Sequence, residues 1–165
     1  MNSPQTHPND PLDAGVASQA LPGLVAFFEG LKPSDLARLD QVYAEHCRFK
    51  DPFNEVVGLI PIRAIFAHMF TALEEPHFVV LDRIAQGDQA FLSWDFRFRF
   101  KGQVKGQTKS DTAWPCIKGA THVRLNAQGL VTEHRDYWDA AEELYEKLPV
   151  LGPLMRWLKR RVMAN

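Results

Sequence analysis

The stretch ATHVRLNAQGLVTEHRDYWD, residues 120–139, decides the fold. Two runs of alternating apolar and polar residues flank Asn126-Ala127-Gln128-Gly129, a loop rich in turn formers, and predict a β-hairpin. On the second run His134, Asp136 and Trp138 share one face, because strand side chains repeat every two residues. Just upstream, QAFLSWDFRFRF (89–100) alternates even more sharply. Leu92, Trp94, Phe96, Phe98 and Phe100 fall on one side, and Ser93, Asp95, Arg97 and Arg99 on the other. One side is therefore buried and one polar, as in an antiparallel sheet. HFVVLDRIA (77–85) precedes it and predicts another hairpin, turning at Gly87-Asp88.

Toward the N-terminus the period changes. LPGLVAFFEGL (21–31) reads as a short apolar helix and PSDLARLDQVYAEH (33–46) as a second, with Ser34 as N-cap and a stripe of Leu36, Leu39, Val42 and Tyr43. CRFKDPF (47–53) reads as a strand carrying Cys47, Phe49, Asp51 and Phe53 on its apolar side. LIPIRAIFAHMFTALEE (59–75) reads as a helix with Ile62, Ile65, Phe66, Met69 and Leu73 on one face. Residues 101–116 read as a long loop or a ragged edge strand. After the last hairpin, Asp139 and Glu142 open a helix in capping spacing, and LMRWLKRRV closes the chain. Helices followed by a run of antiparallel strands predict an α+β fold, with helices packed on the concave face of a curved antiparallel sheet and a C-terminal helical extension. The expected organisation is a disordered arm over 1–20, one domain over 21–139 and the helical extension over 140–165.

Composition narrows the function classes. The chain has 165 residues, 45% hydrophobic and 24% charged, with a net charge of −1. That balance supplies no electrostatic case for nucleic acid or an acidic membrane. Two cysteines, Cys47 and Cys116, make no disulfide framework and are expected to be reduced thiols. No apolar run is long enough to span a bilayer and no basic-then-apolar signal pattern opens the chain, so a cytoplasmic location is expected. The histidines show no ligand spacing with cysteine or acidic residues, so neither a metal nor another cofactor is expected. Nucleotide-binding and nucleophile-elbow motifs do not occur.

VYAEHCRFKDPFNE followed by a helix, together with HVRLNAQGLVTEHRDYWD, resembles the superfamily of nuclear transport factor two, ketosteroid isomerase, limonene-epoxide hydrolase and the SnoaL-type polyketide cyclases, over roughly residues 21–139. HRDYWD is most similar to the SnoaL-like branch. The resemblance implies a cone-shaped fold whose open end holds a mainly apolar pocket. It also implies a choice of functions, because catalysts, binding proteins and transport factors share this fold. Ketosteroid isomerase places its aspartate base just before a proline at the end of the first strand, and Asp51 matches that place. Its oxyanion donors do not carry over: the tyrosine position holds Phe27 and the second aspartate position holds Thr121. Limonene-epoxide hydrolase has an aspartate in the last strand, which Asp136 in RDYWD matches. The arginine and aspartate expected on the middle strand correspond to inward positions held by Trp94 and Phe96, which leaves that triad incomplete.

The resulting expectation is Asp51 and Asp136 as catalytic acid and base around an apolar pocket. Phe27, Tyr43, Phe49, Phe53 and Phe66 would line it from the first half of the chain. Trp94, Phe96, Thr121, Val123, His134 and Trp138 would line it from the strands. Two competing readings stand beside this. Asp51 before Pro52 is also a common turn opener, and Asp136 also suits a structural bond to a helix end or an arginine, while His134 suits a partner of Asp136 better than a catalyst of its own. The function then lies among a cofactor-free isomerase, cyclase or hydrolase, a non-catalytic carrier of an apolar ligand, and a scaffold. The outer sheet face, with Asp95, Arg97, Arg99, Arg124, Glu133, Arg135 and Tyr137, would form a homodimer interface or lie in solvent. The basic C-terminal helix would dock on protein in preference to a membrane surface.

Overall fold

The computed structural model describes residues 15–100 and 115–140. The expectations for residues 1–14, for the loop over 101–114 and for the helices beyond 140 lie outside the described residues. The chain runs through helix α1 (Val16–Glu29), a 3-10 helix (Pro33–Gln41), strands β1 (Tyr43–Lys50) and β2 (Glu55–Val57), helix α2 (Leu59–Ala72), and strands β3 (Leu73–Gln86), β4 (Gln89–Phe100), β5 (Cys116–Leu125) and β6 (Val131–Tyr137).

The six strands form one sheet in the order β2-β1-β6-β5-β4-β3. The three hairpin-type pairings β3–β4, β4–β5 and β5–β6 are antiparallel, as is β1–β2, but β1 pairs parallel to β6. The expected cone-shaped, curved antiparallel sheet is therefore not what forms. Among the described residues the sheet is mixed and open, with β2 and β3 at its edges and the helices packed alongside. Local alternation reports which face of a strand is buried and where hairpins turn. It does not report which distant strand lies alongside, and here β6 fills the slot beside β1 with its own direction already set by the β5 hairpin.

Both turns expected in the strand region are present. Gly87 and Asp88 join β3 to β4, with Gly87 at φ +60°, and Gly129, at φ +78°, closes the β5–β6 loop by donating to the Asn126 carbonyl at 2.9 Å. In each, a residue without Cβ enters the left-handed region at no steric cost. Helix α1 begins at Val16, inside the stretch expected to be disordered. Its Ala17 N–H donates to the Gly87 carbonyl at 3.1 Å, which ties the helix start to the β3–β4 turn. Ala17, Leu21, Leu24, Val25 and Phe28 form its buried stripe. Two other boundaries move. Tyr43 opens β1 where the second helix was expected to continue to His46, and Leu73 opens β3 where α2 was expected to continue to Glu75. Both are aromatic or large apolar residues whose partners lie across the sheet, and tertiary burial overrides helical phase there.

The core lies between the inner face of the sheet and the helices. Leu92, Trp94, Phe96 and Phe98 of β4 all point into it, together with Val123 and Leu125 of β5, Val131 of β6 and Tyr43, Cys47 and Phe49 of β1. Burying an aromatic or aliphatic side chain of this size contributes about 1.5–3 kcal/mol each before entropy is subtracted.

Candidate functional site

Strand register brings the polar residues together. Leu92 stands opposite Thr121, Thr121 opposite Asp136, Val123 opposite His134, and His134 opposite Phe49. Four strands thus present one patch of the inner face, and two polar residues within it are fully enclosed: Thr121 and His134 are each 4% exposed.

Hydrogen bonds join this patch into a single chain. The Trp94 indole Nε1–H donates to Thr121 Oγ1 at 2.8 Å. An indole nitrogen only donates, so the Thr121 oxygen accepts there and spends its one proton on Asp136 Oδ1, at 2.5 Å. His134 Nε2 lies 2.9 Å from the same Oδ1, and His134 Nδ1 lies 3.0 Å from the Tyr43 hydroxyl. Burial, reinforced by the nearby Cys47 thiol and Asp136 carboxylate, holds the Tyr43 phenol well above its ordinary value. Tyr43 therefore keeps its proton. With a neutral imidazole, Nε2–H donates to Asp136 and Tyr43 O–H donates to Nδ1, which satisfies every member of the chain. The imidazole is also boxed in by rings, 4.7 Å from Phe49 and 5.6 Å from Phe28 between centroids. With both nitrogens engaged, His134 orients the carboxylate and has no free position for a substrate.

All the hydrogen bonds that Asp136 makes with described residues fall on Oδ1, which leaves Oδ2 without one. Its carboxylate is 15% exposed and lines two spaces. The inner one is bounded by Phe28, Phe66, Phe78, Val80, Leu92, Trp94, Thr121 and His134, and its free volume is about 20 Å³. That is room for roughly one water molecule. The outer one is a cleft of about 500 Å³ at the end of β6, lined by Lys50, Asp51, Pro52, Arg135, Tyr137, Trp138 and Asp139 as well.

Asp51 reaches this outer cleft but is not aimed into the core. β1 ends at Lys50, and Asp51–Asn54 is the turn that brings the chain back as β2. Asp51 Oδ1 accepts from the backbone N–H of Phe53 at 2.7 Å and of Asn54 at 2.6 Å, and the Asn54 amide donates to both carboxylate oxygens. This is an Asx-type turn closed ahead of a strand. The inward alternation expected through Asp51 and Phe53 stops at Phe49. Phe53 is 55% exposed and packs edge-on against Trp138 at 5.3 Å.

The other expected lining residues separate into four groups. Phe66, Trp94, Thr121 and His134 line the inner space. Tyr43, Phe49, Phe96 and Val123 are buried behind it as support. Phe27 packs edge-on against Phe28 and lines neither space, while Trp138 borders the outer cleft. The lining residues that sequence reasoning missed are Phe28, Phe78, Val80 and Leu92. The stripe Leu21, Leu24, Val25, Phe28 at helical spacing selects Phe28 over Phe27, and the period of two selects Phe78 and Val80 on β3. Cys47 is buried, and its thiol is pushed up to about 12 by that burial and then by Glu133, so it is an inert core residue. Among the described residues no cluster of three His, Cys, Asp or Glu side chains converges as a metal cage, and no helix is long and apolar enough to cross a membrane.

An open mixed sheet with helices along one face, and a carboxylate on its inner face shared between a small hollow and an outer cleft, defines a class of small α+β domains that build a site at one end of the sheet. The chain belongs to the SnoaL-like domain family, whose model matches residues 24–134. Among curated proteins no relative matches the sequence. Among solved structures, TsrD from Streptomyces laurentii is 20% identical with a TM-score of 0.61, covering 82% of this chain and 96% of that one. An M. tuberculosis LEH-like epoxide hydrolase is 14% identical with a TM-score of 0.60, covering 88% of this chain and 96% of its own. A protein of Catenulispora acidiphila with a ketosteroid isomerase-like fold, solved in complex with trimethylamine, is 18% identical with a TM-score of 0.60, covering 76% of this chain and 89% of that one. At these identities the likeness is one of fold.

Proposed function

We propose that this protein is a cofactor-free catalyst of the isomerase, cyclase or hydrolase kind, which uses Asp136 as general acid or base on a substrate with an apolar body. The observation that carries the reading is the asymmetry of the Asp136 carboxylate. Thr121 and His134 hold Oδ1, while Oδ2 has no described hydrogen-bond partner in a carboxylate bordering both spaces. A positioned carboxylate with one free oxygen is what proton transfer requires. The substrate would sit in the outer cleft against Trp138, with its reacting end at Asp136. Asp51 would shape the cleft wall and take no part in proton transfer. The test is turnover of epoxides and enolisable carbonyls by the wild type, Asp136→Asn and Asp51→Asn. Turnover lost in Asp136→Asn and kept in Asp51→Asn supports the reading; turnover that survives Asp136→Asn removes it.

A non-catalytic carrier is the second reading. It is favoured by the missing oxyanion donors, since Phe27 lines neither space and Thr121 has already given its proton to Asp136. Native mass spectrometry showing a co-purifying apolar ligand, with no turnover of any compound that binds, would favour it. We also propose a homodimer through the outer sheet face, where Ile84, Phe91 and Tyr137 are exposed beside the Arg97–Asp95 and Arg124–Glu133 ion pairs. Light scattering on Ile84→Glu is expected to report a monomer.

A further inference from the structure

We propose that Gly119 is a positioning residue for Asp136, acting through the Trp94 indole. The inference rests on the reading of Asp136 as the working carboxylate. Gly119 stands directly opposite Trp94 in the β4–β5 register, on the inner face. A Cβ at position 119 would lie 2.4 Å from Trp94 Cη2, 2.6 Å from Cζ2 and 2.9 Å from Cζ3. The backbone there needs no left-handed conformation, so the requirement for glycine comes from the indole lying flat across the strand.

That placement is what lets Nε1 reach Thr121, two residues further along β5 on the same face. The ring has little freedom to retreat. Trp94 is 5% exposed, and Phe78 meets it edge-on at 5.4 Å with an interplanar angle of 90°. A methyl group at 119 therefore displaces the benzo ring and carries Nε1 away from Thr121. The Thr121 hydroxyl then loses the donor that directs its proton. It can turn toward another acceptor, and Asp136 Oδ1 is left with His134 alone. Gly119 pairs with Trp94 and does not line the outer cleft, yet it sets how the carboxylate is held.

The experiment is side-chain NMR on the full chain, reading the Trp94 Nε1–H and His134 Nε2–H protons in wild type, Gly119→Ala, Thr121→Val and the double variant. Gly119→Ala is expected to move the Trp94 proton upfield and speed its exchange with solvent. It should move the His134 proton downfield, as Thr121→Val does, because Oδ1 has one donor fewer. The double variant should show no further His134 shift. A Gly119→Ala protein with both protons at wild-type positions overturns the proposal, as does a His134 shift that adds to that of Thr121→Val. If Gly119→Ala does not fold, the same change is made beside Trp94→Phe, whose shorter ring lacks the clashing atoms. Folding of that pair supports the proposal, and its failure shows that the glycine is required by something other than the indole. None of these readouts needs turnover. An active Asp136→Asn enzyme would remove the catalytic reading and leave the Gly119 result standing.

Discussion

Of the three carboxylates that border the outer cleft, Asp136, Asp51 and Asp139, the first two are held in opposite ways. Asp136 sits on a strand, facing the interior, and receives its hydrogen bonds on one oxygen from side chains of β5 and β6. Asp51 sits in a turn and receives bonds on both oxygens, all from the two residues that follow Pro52. The first is held by residues whose meeting requires the whole sheet; the second is held by its own tetrapeptide. Proximity to a cleft is therefore a poor guide to chemical role. The oxygen left over after the structural bonds are counted is a better one.

The largest expected effect breaks the pair apart. Asp136→Asn should lower turnover by about 10²–10⁴-fold, the usual contribution of a positioned general acid or base, with Asp51→Asn far less affected. Equal losses in the two variants would erase the distinction. Next comes the wall of the inner space. Phe28→Ala should cost about 3–5 kcal/mol in urea unfolding, as for other buried aromatic truncations, and Phe27→Ala much less. Comparable losses would mean that the helix presents a different face.

The Asp51 turn predicts a smaller effect. Asp51→Ala should destabilise by about 1–2 kcal/mol, because several backbone and amide donors lose one acceptor at a site that water reaches. A neutral result would show that Pro52 alone holds the turn. The smallest effect is in the alkaline limb. Cys47 titrates at 9.0 in an unstructured chain and at about 12 when buried, and Tyr43 is raised in the same direction, in both cases chiefly by burial. The folded state therefore retains protons that the unfolded chain releases above pH 9. This contribution is fully present below pH 9 and declines as pH rises toward 12. Unfolding free energies measured from pH 8 to 11 should fall along this limb, and Cys47→Ala should make the fall shallower.

Much of the strand region was legible because its signals are local. The β3–β4 and β5–β6 turns carry glycines at positive φ, and the alternation of Leu92, Trp94, Phe96 and Phe98 assigns the buried face without any partner strand. His134 and Asp136 were legible as face-mates for the same reason. The helix-rich half read less well. Phe27 and Phe28 are adjacent, and the phase that separates them depends on where α1 begins, at Val16, in a segment whose composition suggests no order. Asp51 was misplaced because alternation was carried past Phe49, while Pro52 and the Asp51 side chain end the strand one residue later.

Sequence by itself determined the periods, the turns and the family, since these follow from residues within a few positions of one another or from a pattern spanning 24–134. It also determined that a carboxylate would stand on the inner face of the last strand. Only tertiary structure decided that β6 lies parallel to β1, that Tyr43 and Thr121 reach the two ends of the His134–Asp136 pair, and that the hollow beside them is nearly filled. The physical reason is the range of the interactions. Backbone torsion and side-chain alternation are fixed locally, whereas pairing direction, hydrogen-bond closure and free volume depend on residues that packing alone brings together from distant parts of the chain.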